Sequence, residues 1–185
     1  MFKLLSLFAV TLTALFVARA DADTKASQFA NVGRPATAAE IQRLNISVLP
    51  NGEGLPEGSG SPREGKEIYR NQCASCHGDN GEGRPEFPAL VGGRDTLASA
   101  TPVLTVGSYW PYSTTIFDYV RRAMPYATPG SLSNSEVYAV TAWLLHANGI
   151  IEENAVVNRQ TLPQVRMPNR DGFVRDPRPD VKAKR

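Results

Sequence analysis

Cysteine is scarce in this sequence. Only Cys73 and Cys76 occur in 185 residues, separated by Ala74 and Ser75. A disulfide of that span would close almost no loop and would leave no other bridge, so the chain has no disulfide framework. Histidine is equally rare, with His77 next to the second cysteine and His146 far downstream. A structural zinc site uses four Cys or His ligands, and outside the Cys73–His77 run His146 is the sole remaining candidate. Long apolar runs are also lacking beyond the N-terminus.

That one run extends from Leu4 to Val17, after Lys3, and ends at Ala18-Arg19-Ala20. It has the form of a secretory signal with an A-x-A cleavage site, over residues 1–20. At about 14 residues it is shorter than the roughly 20 that cross a bilayer. The expected product is a periplasmic chain with no membrane span in its mature part. Removing Lys3 and Arg19 from the 20 basic residues leaves as many as the 18 acidic ones. A neutral protein lacks the basic excess of a phosphate-tracking binder, so no nucleic-acid partner is expected.

What is present is Cys73-Ala74-Ser75-Cys76-His77. A thioredoxin-like pair needs its C-x-x-C between a strand and a helix, whereas the residues before Cys73 are helical in pattern and those after it are rich in Gly and Pro. Covalent haem attachment needs only what stands here. Each thiol adds to one haem vinyl group, and His77 is held under the iron as proximal ligand. The expected cofactor is one haem c, attached through Cys73 and Cys76.

The far side of the iron decides between electron transfer and reaction with small substrates. Met124 and Met167 each precede a proline. Met124 ends a segment in which Ile116, Val120 and Ala123 recur at helical spacing and Pro125 stops the helix. It is the stronger candidate for second axial ligand; Met167, an open site, or a core-filling role for Met124 are the other readings. Ser61-Pro62-Arg63-Glu64 and Ser133-Asn134-Ser135-Glu136 are capping boxes that open two helices, the first running into Cys73, the second carrying Val137, Val140, Leu144 and Leu145. His146 reads as a surface or packed side chain.

The pattern resembles class I cytochromes c, an all-α fold. That resemblance implies a first helix with Gly65 and Tyr69 crossing a last helix with Tyr138 and Trp143. It implies further that the Pro88 carbonyl bonds His77, that Leu90 packs on the porphyrin, and that Met124 ligates iron. At closer range, "GRPATAAEIQRLNISVLPNGEGLPEGSGS", "PALVGGRDTL", "TVGSYWPYSTTIFDYVRRAMPY", "LLHANGII" and "VRMPNRDGFVRDPRPD" are similar to the cytochrome c subunit of bacterial sulfite or sulfane dehydrogenases. The implied function is single-electron transfer without catalysis by this chain, accepting from a molybdenum-cofactor subunit in sulfur oxidation and passing to a downstream cytochrome c. A free-standing shuttle is the alternative, and a haem enzyme with an open sixth position a further one. Some sulfane-type relatives carry two haems, while the cysteines here serve one. Tyr109 and Trp110, with Arg94 as a charged helper, are candidates to line the haem edge and bond a propionate; core packing is the other reading.

The haem domain is expected over 61–149, with an N-terminal arm at 21–60 and a C-terminal extension at 150–185. Around Ala38–Leu44 the arm has one short helical possibility, followed by Gly/Pro/Ser turns. On composition both extensions are linkers. Yet Ile46, Val48, Leu49, Leu162, Val165, Met167, Phe173 and Val174 are more apolar anchors than a linker needs, which points to segments that wrap the core.

Overall fold

The structure is a computed structural model and describes residues 32–178. The signal reading at residues 1–20 lies outside the described residues. Among the described residues no helix is long and apolar enough to cross a membrane.

The chain divides between Asn45 and Ile46. Before the division lies helix α1, Ala38–Leu44, where sequence patterning had placed it. Thr37 and Glu40 close a reciprocal cap, and the Arg34 guanidinium, then Thr37, hold the Glu40 carboxyl down at about 2.

After the division come β1 (Ser59–Gly60), α2 (Pro62–Gln72), α3 (Ala74–His77), α4 (Ser113–Ala123), α5 (Asn134–Ala147) and β2 (Val157–Asn158), then a short 3-10 turn at Leu162–Gln164. The fold is helical with little strand: β1 and β2 pair antiparallel, Ser59 opposite Asn158 and Gly60 opposite Val157. Both predicted capping boxes form. The Ser61 N–H donates to the Glu64 carboxylate at 2.8 Å, and the Ser133 N–H to that of Glu136 at 2.7 Å.

Helix α5 is the centre. Every residue from Val137 to Leu145 is buried, so it has no solvent face over that stretch. Helix α2 crosses it where Gly65 leaves room, since a Cβ there would stand 1.8 Å from the Ala139 carbonyl oxygen. One side chain would separate the helices. Helix α4 packs on another side, bringing Phe117 and Tyr138 to 4.4 Å between ring centroids. Stretches of both extensions after Asn45 join this core. Val48 and Leu55 from the arm, and Val157, Leu162 and Met167 from the tail, are buried within it. Among the other predicted anchors, Ile46 and Val165 are half-buried, while Leu49, Phe173 and Val174 stay exposed.

Candidate haem-binding site

The site begins where α2 ends. The Cys73 N–H donates to the Tyr69 carbonyl at 2.8 Å and closes the helix. The chain then coils through one further turn, α3, with the N–H groups of Cys76 and His77 both donating to the Cys73 carbonyl, at 3.1 and 3.0 Å. Residues three and four apart on a helical turn share a face. Accordingly Cys73, Cys76 and His77 all open into one cavity of about 380 Å³.

Past α3 the backbone turns at Gly78, with φ at +83°, where a Cβ would be strained. The buried Tyr69 hydroxyl donates to the Gly78 carbonyl at 2.8 Å, and the Gly83 N–H to the His77 carbonyl at 2.7 Å. The acidic Asp79–Gly83 run forms a turn, with Glu82 accepting from the Asn80 N–H. The Gly81 carbonyl accepts from Leu90 and Val91, folding residues 84–91 back over the imidazole.

His77 Nδ1 lies 2.9 Å from the Pro88 carbonyl oxygen. A carbonyl only accepts, so Nδ1 carries the proton and the lone pair resides on Nε2, the nitrogen left for a metal. Burial, with a smaller contribution from Cys76, pushes the Cys73 thiol up to about 11. The sulfur therefore faces the cavity as a neutral thiol.

Met124 opens the opposite contribution. It follows Ala123 at the end of α4, its N–H still bonded to the Val120 carbonyl at 3.1 Å, and its half-buried side chain lines the same cavity. Leu90 and Trp110 add to the wall, and α5 supplies Val140 and Leu144. Among the described residues, no Asp, Glu, Lys or Arg lines the cavity. Two thiols within one turn, an imidazole lone pair and a thioether set in an apolar slot suit a flat, largely hydrocarbon macrocycle with iron at its centre. The residues present fit haem.

Two predicted residues stand elsewhere. Arg94 is exposed, and its guanidinium donates to the Asn148 carbonyl at 3.1 Å. Tyr109 turns its ring to Phe173 of the tail, at 5.2 Å. Neither lines the cavity, whereas the neighbouring Trp110 does, edge-on to Tyr119 at 5.8 Å. Met167 is buried in the core away from the cavity lining, and His146 Nδ1 sits 3.1 Å from the Ile151 carbonyl.

Sequence reasoning missed two groups. Asn148, which caps the C-terminus of α5, ties that helix to the cavity wall. Its Nδ2 donates to Leu90 and Leu144 carbonyls at 3.1 and 2.8 Å, and its Oδ1 accepts from Gly92 at 3.1 Å. The exposed rim of the cavity is Phe87, Leu104, Tyr119 and Tyr126, residues to which sequence patterning assigns no role.

A cytochrome c family model matches residues 62–148. In three dimensions the chain is similar to a chain of the sulfane dehydrogenase SoxCD from Paracoccus pantotrophus, with TM-score 0.76 and 43% identity, over 81% of this chain and 74% of that one. In sequence it is 32% identical over 126 residues to a thiosulfate dehydrogenase of Stutzerimonas stutzeri (strain A1501), covering 65% of this chain and 37% of that protein. It is 25% identical over 123 residues to a thiosulfate dehydrogenase of Psychrobacter arcticus (strain DSM 17307 / VKM B-2377 / 273-4), covering 61% and 35%. The chain thus spans little more than a third of the length of these two relatives. The family carries covalently bound haem c, and Cys73 and Cys76 lie in its haem-binding region. With the haem motif, the helical frame and the SoxCD likeness all in agreement, the chain belongs to the cytochrome c family.

Proposed function

We propose that this protein carries single electrons as the accepting subunit of a periplasmic, molybdenum-dependent sulfite or sulfane dehydrogenase, and passes them to a downstream cytochrome c. It does so without catalysing the oxidation itself. The observation that carries this reading is the reach of the SoxCD likeness. It covers 81% of the chain, far more than the 62–148 haem segment, so the likeness reaches beyond the haem domain.

In this reading Cys73 and Cys76 would hold the haem covalently, His77 and Met124 would ligate its iron, and the domain runs over 61–149 between the two extensions. Bound haem c supplies a one-electron couple at iron. The chain's part is to hold that couple still. Pro88 fixes the imidazole by its hydrogen bond to Nδ1, and the apolar walls exclude water. A thioether ligand from Met124 would favour reduced iron and raise the potential, which suits electron transfer rather than reaction with a small substrate.

The names of the two thiosulfate dehydrogenases support a second reading, in which this chain is itself an enzyme with a labile sixth position. Two measurements separate the readings. Purification from the native host should bring down a molybdenum protein, and oxidised protein should show the far-red band of methionine bound to Fe(III). Purification of the chain alone, without that band and with thiosulfate-oxidising activity, would leave the second reading standing.

A further inference from the structure

Helix α4 does more than deliver Met124. Its residues Thr114, Asp118 and Arg121, at i, i+4 and i+7, form one stripe along the helix. Each holds the backbone of a different residue in the arm. The Asp118 carboxylate accepts from the Val48 N–H at 2.8 Å. Thr114 Oγ1 donates to the Pro50 carbonyl and the Arg121 guanidinium to the Ile46 carbonyl, each at 3.4 Å.

The partners are alternate residues, 46, 48 and 50, taken in the order opposite to the helix. Seven helical residues advance about 10 Å, and four steps of extended chain about 13 Å, so the two runs stay in step. Residues 46–50 of the arm form an extended strap laid antiparallel along α4. Val48 anchors it in the core. Asp118 is itself steadied by Arg122, whose Nε and Nη2 each donate to its carboxylate at 2.9 Å.

The tail grips the start of the same helix. Ser113 Oγ donates to the Leu162 carbonyl at 2.6 Å. Just upstream, Asn169 Nδ2 donates to the Tyr109 carbonyl at 2.7 Å, and the Arg170 guanidinium lies 4.3 Å from the Tyr112 ring centroid. These contacts tie both extensions to the one helix that ends in the second candidate ligand. Met124 follows with no spacer, its N–H bonded to Val120.

We infer that the strap at residues 46–50, held chiefly by Asp118, is a positioning device that keeps Met124 seated in the haem cavity. Asp118 acts through the helix and touches neither haem nor ligand. The inference rests on the proposed ligation by Met124. Freeing the strap lets the end of α4 shift without unfolding the protein, so the thioether yields more readily to a competing ligand.

The test uses the full-length holoprotein with imidazole as the competing ligand, following the far-red band during titration. A hydrogen bond to a charged group contributes about 1.5–3 kcal/mol, and 1.4 kcal/mol is tenfold in an equilibrium. D118A should therefore raise the apparent imidazole affinity about tenfold or more. D118N keeps a neutral acceptor for Val48, whose bond is weaker than one to a carboxylate, and should shift the affinity less than D118A. R122Q, which removes only the ion pair, should behave as wild type.

An unchanged affinity in D118A, beside an M124A that lacks the band, would overturn the strap and leave the ligand assignment intact. An M124A that keeps the band would overturn the assignment itself. Equal shifts in D118A and D118N would trace the effect to charge and also defeat the proposal. Should D118A fail to accumulate with haem, T114V removes a single strap bond and must shift the affinity in the same direction.

Discussion

The ring of Tyr69 stacks on that of Trp143 with centroids 3.8 Å apart and planes 29° from parallel. This pair lies beside the crossing of α2 and α5, where Gly65 meets Ala139 with no side chain between. The contact sets how far the helix ending in Cys73 stands from the helix that forms the cavity wall. Disturbing it acts on stability and on the haem site together.

Gly65→Ala places a methyl carbon into the Ala139 carbonyl and against the Trp143 Cβ. Neither neighbour is a flexible chain end. The expected cost is about 3 kcal/mol, the upper part of the overpacking range, read from urea unfolding of the holoprotein. A cost below about 1 kcal/mol would show that the helices separate freely.

Tyr69→Phe removes the hydroxyl that satisfies the buried Gly78 carbonyl, one residue from His77. That oxygen then keeps only the longer bond from the Gly81 N–H, at 3.4 Å, and the loss should cost about 1 kcal/mol while the far-red band persists. Retention of full stability would mean that water takes the hydroxyl's place.

The two methionines should separate cleanly. Met167→Ala empties a core position and should cost about 2–5 kcal/mol with the far-red band intact. Met124→Ala should abolish that band at a smaller cost, because its side chain is only half-buried. The reverse pattern would exchange their roles.

Ser133→Ala should destabilise by about 1 kcal/mol at neutral pH, the usual worth of an N-cap. The Ser133 side chain, then its backbone, hold the Glu136 carboxyl below the ordinary value. A depressed carboxyl adds stability above its unfolded pKa of about 4.3 and loses it as pH falls through the folded one. The gap between wild type and S133A should therefore narrow below about pH 4. Since the pair is exposed, the acid-dependent part stays within about 1 kcal/mol. Denaturant midpoints at neutral and acid pH measure it.

Much of the frame was legible because its signals are local. Ser61 with Glu64, and Ser133 with Glu136, announce helices within four residues, and both helices begin there. Cys73, Cys76 and His77 are likewise set by spacing alone. The one-turn helix α3 and the pair of two-residue strands were not foreseen, since so few residues hold no period and β1 finds its partner about a hundred residues away. The tail was harder for the opposite reason. Its prolines and mixed charges have linker composition, yet Leu162 and Met167 fill core positions that only tertiary packing creates. Tyr109 and Trp110 are neighbours of similar chemistry, and which one turned inward was decided by Asn169 and Phe173, sixty or more residues on.

Helix α5 surrenders its whole middle to the interior, and two of its side chains, Val140 and Leu144, face the cofactor slot. Such a helix cannot be retouched privately. Any change of volume along it is transmitted to the crossing with α2, to α4, or to the slot itself, because a close-packed interior has nowhere else to absorb it. Adjustment of the electron carrier's potential is thereby left to the loops that close over the slot, where a side chain can change without moving a helix.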